Sequence, residues 1–529
     1  MNTTPAKHAV LLIAFNRPGP TRRVLQAICE YAPPRLYIAC DGPRPGNSSD
    51  EEQVSAVREA ALKCGINCEL RTRFRTENFG VGRGPADAID WFFKHEACGV
   101  ILEDDCLPSP DFFRFCNWAL ETYRDDQRVW HVSGSNFAAP PELYQGHTAA
   151  FHSLPQVWGW ATWRDRWSRF TINPFQLEAH MDEAIHNWRL SWVERQIKRY
   201  HLAVLKDYLY TWDYQWQITV LNAGGLVVSC VANLVTNIGE GVGATHTQDD
   251  DRIGIPAETC PATFAASEPL DNPALTRHYA RHMTLQLPGK ALKLCLLETW
   301  RNGWNMLRNL LRRIVFPHQK KIVIASNGRA GSTLLYHALS EAYARKHRPL
   351  LCRLGLGQLL AKLSRDACIR LAKLTDSPAP VLKTHDLFPH GDPTNAAYVF
   401  VYCDPLESAI SVERRTERDG VSWFLEHQYN LHGAGPFEKL FEEDILAYRQ
   451  QMESWSQAGS AVMCIDYDQM WELEEAISRH TGLPLTLPAR QPRTSQLSPN
   501  AAINQELFDE LRRVADSTMP SKPVVTLDD

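Results

Sequence analysis

The feature that most constrains this chain is a series of apolar runs that stop at acids or turns. "AVLLIAF" (Ala9–Phe15) is apolar throughout, "RLYIACD" closes on Asp41, and "GVILEDD" closes on Glu103, Asp104 and Asp105. Polar, helix-like segments lie between them, among them Glu51–Lys63 and Pro85–His95. Apolar strands alternating with helices predict a parallel sheet covered by helices on its faces. Ligands of such sheets sit at the carboxyl ends of the strands, so Asp41 and the Glu103–Asp105 triplet mark an expected site from pattern alone.

The alternation returns after Pro317, where "KIVIAS", "VLKTHD", "YVFVYCD" and "AVMCIDYD" read as strands separated by helical segments. A chain of 529 residues is too long for one ordinary core. Two α/β domains are therefore expected, over 1–285 and 321–529, with a basic amphipathic helix over 286–320 between them. In that helix Leu296, Trp300, Trp304, Leu307, Leu311 and Ile314 recur at helical spacing, flanked by Lys290, Arg301, Arg308 and Arg312. Two readings stand: a helix packed between domains, or peripheral membrane contact through 289–316, with Trp at headgroup depth and cations reaching anionic lipid.

Net charge of −5 and a pI near 6.4 argue against a nucleic-acid partner held by electrostatics. The first apolar run is too short for a signal-peptide core or a membrane span. Fourteen cysteines without repeated CxxC or Cys/His spacing suggest reduced structural thiols rather than disulfides or zinc. A cytoplasmic location is expected, with the membrane's inner face as the peripheral alternative.

Carboxylates crowded at one strand end repel each other unless a cation neutralises them. Hard oxygen ligands suit Mn²⁺ or Mg²⁺, which would in turn bridge a diphosphate. The plainer reading is a solvated loop after a buried strand. "ENFGVGRG" (Glu77–Gly84) supplies glycines where a backbone could approach a ligand closely, or is simply a turn.

"VILEDDCLPSPDFF" resembles the metal-binding segment of GT-A fold glycosyltransferases, and is similar to that of inverting N-acetylglucosaminyltransferases and related bacterial sugar transferases. "FNRP", "CDGPR", "ENFGVG" and "VWGWATWRDRW" fit the same group, so the resemblance spans about residues 8–250. It implies a nucleotide-sugar donor, with Asp41 on the base, Asp104 on the ribose and Asp105 on the metal. "WDYQW" is similar to the family's "WDDW" segment, which implies Asp213 as the catalytic base; Tyr214 stands where the family has its second acid. His246 in "GATHT" is a further metal ligand, a diphosphate contact, or neither.

In "IASNGRAGSTLL" (Ile324–Leu335), Gly328 and Gly331 surround Arg329, and Ser332 and Thr333 open a helix. Backbone N–H groups and hydroxyls at such a terminus cradle an anion. No Lys follows Gly331, which disfavours triphosphate hydrolysis. The stretch resembles the 5′-phosphosulfate loop of sulfotransferases that use 3′-phosphoadenosine 5′-phosphosulfate (PAPS), whose carbohydrate-specific members carry "RxGS". "LKTHDLFP" is similar to that family's "KTHxP" and "VYCDPLESAIS" to its "RNPxDxxxS", over about 321–485. The resemblance implies Arg329, Gly331, Ser332 and Thr333 on the 5′-phosphosulfate, Ser411 on the 3′-phosphate, His385 as general base and Lys383 beside it. Cys403 replaces the Arg expected at the 3′-phosphate; Arg414, Arg415, Arg490 and Arg493 are candidates to supply its charge.

Together these point to a bifunctional enzyme, metal-dependent glycosyl transfer plus sulfuryl transfer to one glycan or lipid-linked glycan acceptor. A second reading leaves the C-terminal half as a non-catalytic binding module, which Cys403 favours. A third makes that half a P-loop kinase.

Overall fold

The computed structural model describes residues 7–177, 211–239, 254–284, 288–317, 320–367, 376–388, 396–457, 462–490 and 503–519, with Leu371 and Leu374; for 281–284, 288–299, 301 and 302 it describes the backbone alone. The architecture is mixed α/β, and the chain divides into two compact units, Met1–Cys295 and Leu296–Asp529.

In the first unit, β1 (Ala9–Ala14), β2 (Arg35–Cys40), β3 (Glu69–Phe74) and β4 (Cys98–Glu103) pair in parallel, Val10 opposite Leu36 and Leu12 opposite Leu102. β6 (Val129–Ser133), β7 (Ala149–His152), β8 (Trp160–Trp163) and β9 (Leu226–Cys230) extend the sheet, giving the order β3-β2-β1-β4-β8-β6-β9-β7. β8 runs antiparallel to both β4 and β6, and β7 antiparallel to β9, so the sheet is parallel over β1–β4, where the alternation up to about Val132 predicted it, and mixed beyond. The added β8 comes from the Trp-rich segment, where Trp160 and Trp163 alternate across a pleat buried on both faces, as large aromatics do in strands. A separate ribbon pairs β5 (Cys106–Pro108) with β10 (Val235–Asn237), antiparallel.

Helices α1 (Pro18–Tyr31), α2 (Ser48–Leu62), α3 (Gly80–His95) and α4 (Pro110–Thr122) cover the sheet. α1 and α4 each begin with Pro, whose fixed φ suits a first turn and which has no N–H to leave unpaired there. On one face Val24, Leu25 and Ile28 of α1 and Phe112, Phe115 and Leu120 of α4 pack on Val10, Leu12, Leu36 and Leu102. The other face packs Ile89 and Phe92 of α3 with Leu11, Tyr37 and Ile101, next to Trp160, Trp167, Trp212 and Trp216. The ring of Trp216 lies 5.7 Å from that of Trp160 and 5.1 Å from that of Trp167.

The second unit has one sheet of β11 (Lys321–Ser326), β12 (Arg365–Asp366), β13 (Val381–Thr384), β14 (Ala396–Tyr402) and β15 (Val462–Asp466), in the order β12-β13-β11-β14-β15 and parallel throughout. Its core joins Ile322, Ile324, Val399 and Val401 to Leu335, Leu339 and Tyr343 of the helix Ser332–His347. The described cysteines are free thiols.

Both sheets reverse their strand order beside their first strand, between β1 and β4 in one unit and between β11 and β14 in the other. Loops leaving the carboxyl ends of those strands part there and open a crevice, the usual ligand position in such folds.

Candidate active sites

At the first crevice, the residues after β1 meet those after β4. Arg17 reaches between two carboxylates, with Nη2 at 2.5 Å from Asp104 Oδ1 and Nη1 at 3.0 Å from Asp105 Oδ2. Asp104 Oδ2 also accepts the backbone N–H of Phe15 at 3.1 Å. Burial, then the carboxylates of Asp105, Asp104 and Asp213, push Glu103 up to about 8, and Arg17 pulls the other way. Burial likewise lifts Asp104 to about 6 against the pull of Arg17. Burial opposes the charge on Arg17 itself, but its two carboxylates outweigh that and hold its proton more tightly than usual.

Asp213, which opens the helix Asp213–Asn222, is near enough for its carboxylate to add to the raised pKa of Glu103. The described neighbourhood of Asp213 includes Thr211, whose hydroxyl donates to its carboxylate. The β5–β10 ribbon brings Gly239 alongside: Ile238 N–H donates to the Asp105 carbonyl at 2.8 Å, and a Cβ at Gly239 would stand 2.5 Å from Asp105 Oδ2. His246, seven residues on, lies outside the described residues.

Asp41 has a clear local task. Its carboxylate accepts N–H groups from Phe79 at 2.9 Å and Gly80 at 3.0 Å, where α3 begins, and from Gly42 at 3.0 Å. It thereby caps the helix from across the sheet edge and folds the "ENFGVG" loop over the end of β2. Burial raises its pKa, against those three donors. Around the loop, Arg75 and Arg83 lie over the Phe79 ring, at 3.8 and 4.1 Å.

Among the described residues no group of three or more His, Cys, Asp or Glu side chains is arranged to hold a metal ion. The donor chemistry nevertheless fits a hard divalent cation: Glu103, Asp104 and Asp105 crowd together with one guanidinium between the aspartates, and burial, with repulsion added to it, raises the Glu103 and Asp104 pKa values.

At the second crevice the loop Asn327–Gly331 links β11 to its helix, with Gly328, Arg329 and Gly331 all at positive φ (83°, 53° and 73°). A Cβ at Gly331 would sit 2.1 Å from Cε2 of Tyr467, so the loop lies directly against that ring. Ser332 Oγ is 2.9 Å from Ser326 Oγ, which is 3.1 Å from His385 Nδ1. The same Nδ1 lies 2.9 Å from the Ser326 carbonyl, which can only accept. An Nδ1–H donated to that carbonyl leaves the basic lone pair of the ring on Nε2. Lys383 Nζ donates to Thr333 Oγ1 at 2.7 Å, bringing its cation to the start of the same helix.

Arg329 Nε donates to Ser411 Oγ at 2.9 Å. These two side chains, with Arg414, Arg415 and Arg418, line a cavity of about 310 Å³. Ser411, Arg414, Arg415 and Arg418 share one face of the helix Pro405–Asp419 by their spacing of three, four and seven. Burial, then Arg415 and Arg418, make it harder for Arg329 to stay charged. Asp419 pairs with Arg415 and, at 2.7 Å, with Arg418. Two buried side chains complete the setting. Asn327 is 1% exposed, and neither its Nδ2 nor its Oδ1 has a partner among the described residues; the same holds for Nε2 of buried His427, from which a Cβ at Gly328 would be 2.9 Å away. Buried donors without partners cost free energy that an oxyanion in the loop would recover.

Cys403 is buried in the core of the second unit and is not among the residues that line this cavity. Of the substitutes named from sequence, Arg414 and Arg415 line it, Arg490 pairs with Asp468 beside Trp471, and Arg493 lies outside the described residues. The sequence reading took Glu103 only as part of the acidic triplet at the strand end and assigned no role to Arg17, Ser326, Asn327, Arg418 or His427. Helical spacing from Ser411 was signal enough for Arg418; the others depend on contacts between distant segments.

No family model matches the chain, and no curated protein matches it. Among solved structures it is similar to HddC from Yersinia pseudotuberculosis, at 10% identity over 30% of this chain and 78% of that one, with a TM-score of 0.20. A likeness at that level carries no argument about fold or function.

Proposed function

We propose that the chain is a bifunctional glycan-modifying enzyme: a GT-A type glycosyltransferase in the first unit and a PAPS-dependent sulfotransferase in the second. The observation that carries this reading is the arginine-lined cavity at Ser411, which joins the anion loop of Arg329 to a three-arginine helix face and so supplies the charge that Cys403 does not. A bisphosphorylated nucleotide carries two separated anions, one for the loop and one for that cavity.

In the second unit the acceptor hydroxyl oxygen attacks sulfur, its proton passes to the His385 imidazole, and the bond from sulfur to the 5′-phosphate oxygen breaks. Arg329, Ser332, Thr333 and Lys383 steady the charge that develops on the departing 3′-phosphoadenosine 5′-phosphate. In the first unit the acceptor oxygen attacks the anomeric carbon, its proton passes to the Asp213 carboxylate, and the bond to the nucleoside diphosphate breaks with inversion. Asp105 would hold Mn²⁺ or Mg²⁺, which neutralises diphosphate charge when bound. Arg17 fixes the two aspartates in place. Both donors are cytoplasmic metabolites, and the acceptor class is a glycan or lipid-linked glycan. Linking two sites on one chain raises the local concentration of a shared intermediate.

Calorimetric titration of the full chain with 3′-phosphoadenosine 5′-phosphate tests the reading. Binding that Arg329→Ala abolishes supports it. A folded chain that binds none leaves the second unit as a recognition module, the reading in which only the first unit catalyses.

A further inference from the structure

At Trp300 and over 303–315, where its side chains are described, the helix Pro288–Val315 is amphipathic in the inverted sense. Its polar side faces the second unit: Arg312 is fully buried, donating to Asp366 Oδ2 at 3.0 Å, the Leu363 carbonyl at 3.0 Å and Asn309 Oδ1 at 3.0 Å. Its apolar side is exposed, with Trp300 at 70% and Met306 at 75%, and Trp304, Leu307, Leu310 and Ile314 also in the open. A core-facing helix does the reverse.

A second apolar element adjoins it. In the segment 349–359 Leu350 and Leu354 are 68% and 69% exposed, and Leu356 and Leu359 are exposed too. Both ends of this segment are tied to the last turns of the helix: Arg348 donates to the Val315 carbonyl and lies 5.9 Å from the Phe316 ring, and Arg312 holds Leu363. The segment therefore adjoins the last turns of the helix, where Leu310 and Ile314 are exposed, and the exposed apolars are more than scattered singles.

Charge decides what covers it. Residues 300–317 and 345–363 hold nine Lys and Arg and no Asp or Glu, within a chain of net charge −5. Arg313, Arg345, Lys346, Arg353 and Lys362 are exposed around the apolar residues. Indoles, leucines and a cationic rim suit the boundary between acyl chains and anionic headgroups. No described helix is long and apolar enough to cross a membrane, so the element would lie in the interface plane.

We infer that this face of the second unit docks on an anionic phospholipid bilayer, the 300–314 stretch of the helix and the Leu350–Leu359 turn inserting together. The inference stands independently of either transfer reaction.

Co-sedimentation of the full chain with vesicles tests it, using phosphatidylcholine alone and phosphatidylcholine mixed with phosphatidylglycerol. The expected result is binding to the anionic vesicles, weakened by salt, and little to the neutral ones. Leu350→Asp with Leu354→Asp, and separately Arg313→Glu with Arg353→Glu, should each lower the apparent affinity by about tenfold or more while leaving the unfolding temperature unchanged. All four side chains are exposed, so folding is not at stake. Absence of binding to anionic vesicles by the folded chain overturns the inference, as does undiminished binding by both variants. A concentration-dependent dimer that Leu350→Asp dissolves, with no vesicle binding, would instead give the face to a second copy of the chain and overturn it equally.

Discussion

The indole N–H of Trp216 donates to Nδ1 of His131 across 3.1 Å, and Nε2 of the same imidazole lies 2.9 Å from the Gln156 carbonyl. With Nε2–H as donor and Nδ1 as acceptor, the neutral ring is fully used. Trp216 stands one turn beyond Asp213, so this bond locks the helix that carries the proposed base against β6. A second proton on His131 would set two N–H groups against each other.

That arrangement predicts acid sensitivity. Burial drives the His131 pKa down to about 3 from an unfolded value near 6.5, and lowers those of His152 and His427 strongly. Below about pH 6.5 the unfolded chain binds protons that the folded chain refuses. The stability contributed by each neutral ring is complete above that pH and is lost as pH falls, at up to about 1.4 kcal/mol per pH unit for each such ring. Thermal unfolding followed from neutral pH into the acid range should show the melting temperature falling steadily. A flat profile would mean that these rings are protonated in the fold.

Asp105→Asn should abolish divalent-metal-dependent turnover of a nucleotide sugar and leave sulfuryl transfer intact. Arg17 keeps Asp104 as a partner, so the fold should survive. Simultaneous loss of both activities from a folded variant would contradict two separate sites.

Asp213→Asn removes the proton acceptor while preserving shape. Glycosyl turnover should fall by about 10²–10⁴-fold, with donor affinity little changed. The diagnostic is the separation of kcat from KM for the donor. An unaltered kcat would move the base elsewhere.

Arg415→Ala and Arg418→Ala each withdraw one cation from the cavity beside Ser411. Hydrogen bonds to charged groups contribute about 1.5–3 kcal/mol, so each variant should bind 3′-phosphoadenosine 5′-phosphate about ten- to a hundredfold more weakly. Adenosine 5′-phosphate, which lacks the 3′ anion, should be little affected. Equal losses for both nucleotides would place the 3′-phosphate outside the cavity.

Gly331→Ala tests the loop itself. The residue sits at φ 73°, and an added methyl would enter the Tyr467 ring at 2.1 Å. The ring or the loop must shift, so nucleotide binding by the full chain should be lost, with unfolding of the rest largely unchanged. Retained affinity would show that the loop tolerates displacement and does not set the binding geometry.

Much of the framework was legible because a strand buried on both faces has to be apolar along its whole length. "AVLLIAF", "GVILEDD" and "YVFVYCD" announced β1, β4 and β14 in that way, and the acids at the second run's end marked a crevice. β8 was not read as a strand, because four residues, Trp160–Trp163, are too few to establish a period. Arg17 was visible in "FNRP", but its pairing with Asp104 joins segments 87 residues apart and leaves no local trace. Motif spacing put Cys403 where the resembled family carries Arg, and the thiol is buried in the core just past the end of β14, which a local pattern does not reveal. The helix Pro288–Val315 showed its stripe clearly, yet a stripe alone does not say which side is inward.

The hydroxyls of Ser332 and Ser326 stand in line with the imidazole of His385. Each hydroxyl has a single hydrogen to give, so the line can point one way or the other. An anion arriving at the loop that draws the hydrogen of Ser332 toward itself leaves that oxygen to receive from Ser326, whose own oxygen then accepts more strongly from the Nδ1–H of the ring. The electron density at Nδ1, and through it the proton appetite of Nε2, changes with whatever occupies the loop. Filling the donor site and tuning the base are in this way a single event, read out at opposite ends of three side chains.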